Sequence, residues 1–205
     1  KQIADLGVEV RLNTKATAED ILALDPYAVF LTTGSEPIMP RSIQGIDGDN
    51  VYTIPQILDH KVELTGKKIV VAGAGLTGME TAEFLQEAGN EVTVIDMMSA
   101  VGYGAFQLLV IDETSLMARH GIRSMPGHKL VEIRPDSVLV EDLAGIRLEL
   151  PCDAVIMSLG VRSVNGLKDE LGDRENVFLL GEANKAGFRV PQAVHPAFEA
   201  AYNLQ

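Results

Sequence analysis

Three glycines and one acid form the pattern in this sequence best suited to chemistry. In KKIVVAGAGLTGMETAEFLQEAGNEVTVID, residues 67–96, Gly73, Gly75 and Gly78 fall in a Gly-x-Gly-x-x-Gly spacing between an apolar run and a helical pattern, and Asp96 closes the stretch. A lone match to that spacing is common in loops, so its context decides. Gly73 directly follows a strand-like run and can make the tight turn into the helix. Gly75 has no side chain to hold a pyrophosphate off the backbone, and Gly78 lets the helix lie close on the strand. Ala74, Leu76 and Thr77 fill the turn and the first helical positions. A helix N-terminus offers unpaired N–H groups and a partial positive charge, which suits phosphate. Asp96 stands 23 residues after Gly73, about where a carboxylate meets the hydroxyls of an adenosine ribose. The stretch reads as a dinucleotide site.

The acid also selects. A hydrogen bond between a carboxylate and a ribose hydroxyl contributes about 1.5–3 kcal/mol. A 2′-phosphate in its place brings like charge within a few ångströms, a repulsion of about 4 kcal/mol per charge pair at an effective dielectric near 20. The residues after Asp96 are Met97, Met98 and Ser99, with no Arg or Lys to offset it. NAD is therefore expected ahead of NADP. FAD also carries a bare ribose, so the acid alone does not separate NAD from FAD. Met97 falls at the mouth of an adenosine pocket, or equally at the edge of the core.

The elements that must position these residues follow from periodicity. Ile69 to Ala72 is an apolar run of strand length, and EVTVID is a second strand. Met79, Ala82, Phe84, Leu85 and Ala88 give the intervening helix an apolar face, which Gly89 and Asn90 stop. Residues 105–120 read as another helix, three or four short strands follow from Ile122 to Leu150, and CDAVIMSLG is a buried strand. Upstream, Leu6, Val8, Val10 and Leu12 alternate like a half-buried strand, Thr17 with Asp20 marks a helix start, and AVFLTTG is a buried strand. The Pro- and Gly-rich residues 35–50 read as a connector and domain boundary. NVFLLGEA and a closing helix from about Pro191 complete the pattern. Strands alternating with helices predict an α/β fold with a parallel sheet.

Bulk properties narrow the function classes. An apolar fraction of 46% with 22% charged residues is that of a globular protein, and 205 residues can bury a real core. No apolar run approaches the ~18 residues of a membrane span, and the first residues lack a signal-peptide layout. The net charge of −12, with no basic run, argues against nucleic acid. A single cysteine, Cys152, provides no Cys-x-x-Cys pair and no cysteine-held cluster, which fits a cytoplasmic protein. No Cys–His spacing fits zinc, so surface or capping roles are expected for His60, His120, His128 and His195, and no metal site.

The flanks of the fingerprint add a resemblance. FLTTGSEPIMPRSIQGIDG before it, and DAVIMSLGVRSVN and NVFLLGEANKAG after it, stand in the order found in two-dinucleotide-domain flavoprotein reductases. From about Val8 to Leu204 the chain resembles the C-terminal region of NADH:flavin oxidoreductases of the 2-enoate and 2,4-dienoyl-CoA reductase type. The resemblance implies a Rossmann-like NAD-binding domain, residues 51–160, inserted in a partial FAD-type domain made of residues 1–50 and 161–205. It implies that Thr33 and Gly34 lie in the turn leaving the FAD-type domain, and that Ser158, Leu159 and Gly160 form the turn that closes over the nicotinamide nucleotide. It matches Glu80 to a glutamate that points towards the nicotinamide end; a solvated carboxylate early in the helix is the equal alternative. Gly181 and Glu182 match the Gly-Asp pair that meets the flavin ribityl and pyrophosphate, with Glu in place of Asp.

No second Gly-x-Gly-x-x-Gly is present to hold the ADP half of FAD, and the chain has no initiator Met. The expectation is a portion of a longer parent whose upstream FAD-binding half and FMN/iron–sulfur domain lie elsewhere. Its cofactors are expected to be NAD(H) here and FAD in the full-length parent, with hydride passing from NADH to FAD and the electrons onward to a second centre or substrate. The rival expectation is a non-catalytic module that senses NAD(H). A disulfide reductase is set aside because the cysteine pair is missing. Half an FAD-type domain leaves apolar surface that suits a homo-oligomer.

Overall fold

The computed structural model describes residues 2–187 and 190–204. In chain order its first elements are α1 (Gln2–Asp5), α2 (Ala18–Ala23), β1 (Val29–Leu31), β2 (Ser35–Pro37), β3 (Val51–Thr53) and α3 (Ile54–Leu58). The fingerprint supplies β4 (Lys68–Ala72), α4 (Leu76–Glu87) and β5 (Glu91–Asp96). Then come α5 (Gln107–Arg119), β6 (Arg123–Pro126), β7 (His128–Ile133), β8 (Ser137–Asp142), β9 (Arg147–Pro151), β10 (Ala154–Met157) and β11 (Val161–Ser163). The chain closes with α6 (Gly166–Leu171), β12 (Val177–Leu179), a 3₁₀ turn (Gly181–Ala183) and α7 (Val190–Tyr202).

The chain forms two compact units: Glu36–Arg162, and the segments before and after it. In the first, β3, β10, β4, β5 and β6 make a parallel sheet in that order, and β7, β8 and β9 make a separate antiparallel one. The three central strands β10, β4 and β5 are covered on both faces, which is why they read as apolar runs. Val70, Ala72, Val155, Met157 and Ile95 face one core with Leu130, Val138 and Val140 of the antiparallel sheet. The alternate residues Ile69, Val71, Val92, Val94 and Ile156 face the other, with Met79, Ala82 and Leu85 of α4 and Met117 of α5. Phe84 leaves this stripe. It is 37% exposed and stands edge-on to His60 at 5.9 Å.

Residues 36–50 do more than connect. Ile46 is buried in the first core with Met39 and Ile43 packed against it, and the Gln44 carbonyl accepts from the Ile133 N–H at 2.8 Å. This segment therefore belongs to the Glu36–Arg162 unit, and the compact units divide at 35/36 and 162/163.

In the second unit β1 and β12 pair in parallel, and Leu31, Leu171 and Val177 form a small core. A Thr17–Asp20 capping box starts α2, as its spacing predicts. The strand expected from Leu6 to Leu12 does not form. Those four residues are all exposed outside any strand, because alternation specifies a face to bury but supplies no edge to pair with. The run AVFLTTG is also less buried than expected, with only Leu31 of β1 inside. The closing helix α7 starts at Val190, close to the expected Pro191, with Pro196 inside it, and Val190, Val194, Phe198 and Tyr202 form an exposed apolar stripe four residues apart along that helix. Among the described residues no helix is long and apolar enough to cross a membrane.

The stop after α4 rests on one side chain. Asn90 is buried; its Oδ1 accepts from the Lys67 N–H at 3.0 Å, and its Nδ2 donates to the carbonyls of Leu85 and Leu64 at 2.7 and 2.8 Å. It ties the helix end to the entry of β4. Replacing Asn90 by Ala leaves the Lys67 N–H and the Leu64 carbonyl unpaired, while the Leu85 carbonyl keeps the backbone N–H of residue 90, and is expected to cost roughly 2–4 kcal/mol, read as a lower denaturant midpoint at unchanged slope.

Candidate functional site

The ends of four parallel strands lie in register: Met157 beside Ala72, Ala72 beside Ile95, and Ile95 beside Met125. Ser158, Gly73, Asp96 and Pro126 therefore leave the sheet together along its carboxyl edge. From β4 the chain runs outward to β5 and β6, and returns through β10 on the other flank of β4. Reversal of strand order beside the first strand is where open α/β sheets form a crevice for ligands.

The three glycines answer three different constraints. Gly73 has φ +111°, and a Cβ there would lie 2.1 Å from the Ser158 carbonyl oxygen. A Cβ on Gly78 would lie 2.1 Å from the Gly73 carbonyl oxygen and 2.8 Å from Ser158 Oγ. These two are required by packing. Gly75 is different: its φ of −68° suits any residue, and a Cβ would meet nothing within 4 Å. The exposed face of Gly75 opens towards solvent at the start of α4. Among the described residues no acceptor meets the N–H groups of Gly75, Leu76 and Thr77. A cradle of free N–H groups on a glycine that the fold itself does not need fits a pyrophosphate.

Asp96 is half-buried and held by backbone. Its Oδ2 accepts from the Ala74 N–H at 2.6 Å and its Oδ1 from the Met98 N–H at 2.8 Å. The Ala74 carbonyl in turn accepts from the Gly102 N–H at 2.7 Å, so the loop between β5 and α5 braces the turn. A carboxylate retains lone pairs beyond those two bonds, enough for ribose hydroxyls. Beside it lies a cavity of about 190 Å³ walled by Asp96, Met97, Ile43, Leu130, Lys129 and Leu159. Met97 is 60% exposed at this wall.

Lys129, His128 and Ile43 at this cavity were not legible as site residues. Lys129 and His128 arrive on β7, 33 and 32 residues after Asp96, and Ile43 on the connector. Their only local signals are the alternation of HKLVEI and the apolar pair Ile43 and Ile46 within a polar stretch. Lys129 is also a cation that the local run after Asp96 does not contain.

Ser158 is half-buried beside Gly73 and Gly78, Leu159 is 37% exposed, and Gly160 has φ +90° with its carbonyl accepting from Ile38 at 3.0 Å. Glu80 is exposed and acts on Glu113 of α5, whose carboxyl is raised by burial first and then by Glu80, Glu83 and Asp112. In the other unit, Thr33 Oγ1 donates to the Val164 carbonyl, and the Gly34 carbonyl accepts from the Val164 N–H at 3.0 Å. Gly181 opens the 3₁₀ turn at φ +59°. The Glu182 carboxylate accepts from Ser35 Oγ at 2.6 Å and from the Gly187 N–H at 3.1 Å, so the longer arm folds onto its own unit. Cys152 is buried, and burial followed by Asp153 and Asp136 pushes its thiol up to about 11, far from a nucleophile's range.

Known proteins share this architecture. Residues 4–178 match the family described as pyridine nucleotide-disulphide oxidoreductase. The chain is 33% identical over 208 residues to a protein named NADH oxidase from Thermoanaerobacter brockii, covering 99% of this chain and 32% of that one. It is 30% identical over 204 residues to a bilirubin reductase from Mediterraneibacter gnavus, covering 98% of this chain and 31% of that one. Among solved structures, a 2-naphthoyl-CoA reductase complex superposes with a TM-score of 0.88 at 28% identity, over 98% of this chain and 30% of that one. The chain thus spans about a third of the length of these relatives. The match over most of its length, on a parallel sheet with a glycine turn at its carboxyl edge, makes this chain a member of the pyridine nucleotide-disulphide oxidoreductases, a family of NAD(H)- and FAD-dependent enzymes.

Proposed function

We propose that this chain is the NADH-holding portion of a longer flavoprotein oxidoreductase of the 2-enoate and 2,4-dienoyl-CoA reductase type. The observation that carries the reading is Gly75, a glycine with no intramolecular need, on an exposed helix start whose N–H groups are free. Gly73 and Gly78 set the helix against the strand ends. The N–H groups of Gly75, Leu76 and Thr77 hold the pyrophosphate, and Asp96, fixed by Ala74 and Met98, accepts from the adenosine ribose. Met97, Ile43 and Leu130 offer apolar wall to the adenine end, and Ser158, Leu159 and Gly160 border the crevice on the β10 side. Bound NADH supplies a hydride; the residues of this chain orient it and carry no catalytic group of their own.

The segments outside residues 36–162 are read as the second half of an FAD-type domain, with Thr33, Gly34, Gly181 and Glu182 on its flavin side. The exposed stripe on α7 supports a missing upstream half, as does the small size of the β1–β12 sheet. The electron acceptor belongs to the remaining two-thirds of the parent; relatives named for reducing bilirubin and 2-naphthoyl-CoA favour a conjugated system. In the full-length parent, mixing with NADH under anaerobic conditions is expected to bleach the flavin within a single turnover. An unbleached flavin would leave the sensing role.

Two substitutions separate binding from packing. Gly75→Ala is expected to leave stability unchanged or slightly raised, because the backbone there suits alanine. It is expected to weaken NADH at least about tenfold in a calorimetric titration, a loss of roughly 1.4 kcal/mol. Asp96→Ala removes the carboxylate but keeps Lys129 in the cavity. The ratio of NADH to NADPH affinity is expected to fall by about 10- to 100-fold, as the repulsion of the 2′-phosphate disappears.

A further inference from the structure

The seam between α4 and α5 carries a second set of chemically matched side chains, away from the glycine turn. Glu83 and Glu87, one helical turn apart, share a face of α4, and His120 is the residue that caps α5. One carboxylate oxygen from each glutamate and one imidazole nitrogen all lie within 4.8 Å of one another. The sequence spacing gave no hint of this group, because the histidine finds its partners across the seam rather than along its own helix.

The polar accounting at the seam is incomplete. His120 Nδ1 is shielded from solvent and makes no hydrogen bond, although Glu83 Oε1 stands 3.4 Å away. Two donors sharing a tetrahedral ion at bonds of about 2.0–2.1 Å stand roughly 3.3 Å apart. The observed gap suits a shared cation and is long for a direct hydrogen bond. A buried, unpaired ring nitrogen costs about 1–3 kcal/mol, a cost that a bound ion removes. Glu113 adds a second shielded and unpartnered atom, Oε2, with Glu80, Glu83 and Asp112 close enough to act on it. The surrounding field favours positive charge. A third of the His120 side chain is exposed, which leaves an ion a path from solvent.

We propose that Glu83, Glu87 and His120 form a site for a divalent transition cation of the zinc type, with water completing the coordination. A mixed imidazole and carboxylate set favours zinc over calcium and magnesium, which take oxygen ligands alone. The ion ties the C-terminal half of α4 to the end of α5. The site stands apart from Gly75 and does not depend on the nucleotide reading.

The test uses the whole chain, stripped with chelator and titrated with zinc chloride by calorimetry, with cobalt(II) absorption as a readout of the ligand set. One saturable ion per chain is expected, with tetrahedral cobalt bands in the visible and a zinc-dependent rise in the melting midpoint. His120→Ala, and separately Glu87→Gln on an exposed side chain, are expected to weaken zinc at least about tenfold and abolish the rise. Glu63→Gln, an exposed carboxylate elsewhere, is expected to change neither. Zinc binding that survives both ligand substitutions in folded protein would overturn the site, as would the absence of saturable binding in the unsubstituted chain.

Discussion

The carbonyl oxygen of Ser158 occupies the space where any side chain on Gly73 would begin. That close approach brings the end of β10 against the end of β4, and Gly78 repeats it one helical turn on by pressing against the Gly73 carbonyl and Ser158 Oγ. Three segments, two strand ends and a helix start, are thereby fixed within contact distance. The consequence for chemistry is positional. With helix and strands clamped on one side, the first helical turn, whose N–H groups meet no acceptor among the described residues, starts at the carboxyl edge where Asp96 also emerges.

Around this clamp the supporting parts each satisfy backbone that would otherwise be stranded. Asp96 takes the N–H of Ala74, Gly102 takes the Ala74 carbonyl, and Gly127 takes the Met98 carbonyl at 2.7 Å. The glycine turn is thus held from the β5 side as firmly as from the β10 side. Asn90 does the same at the far end of α4. A carboxylate held by two backbone N–H groups is already oriented before a ribose arrives, which lowers the ordering cost of binding. The seam of α4 and α5 is the exception, since two shielded polar atoms there have no partner.

Much of the Glu36–Arg162 unit was legible because its signals are local and mutually consistent. The runs KIVVA, EVTVID and AVIM are covered on both faces and read as strands whatever their neighbours, and the glycine spacing marks the turn between the first strand and its helix. The failures have a common cause. Leu6 to Leu12 alternate as a strand would, yet no edge in the described residues pairs with them. Ile43 and Ile46 sit in a stretch rich in Pro and Gly, so local composition hid their place in a core assembled mainly from distant strands. Phe84 fits an apolar helical face on paper but turns to His60 instead.

The sequence by itself determined the kind of element at each point, the position of the glycine turn and the acid that follows it. These depend on backbone freedom, on side-chain period and on spacing along one strand–helix–strand unit. The tertiary structure supplied the contacts behind the roles of the three glycines: Gly73 and Gly78 lie against Ser158, 85 residues after Gly73, and Gly75 meets nothing. It alone brought Lys129 to the cavity of Asp96 and His120 to Glu83 and Glu87. Contacts between elements distant in the chain leave no fixed spacing, since loops between them can vary in length at little free-energy cost.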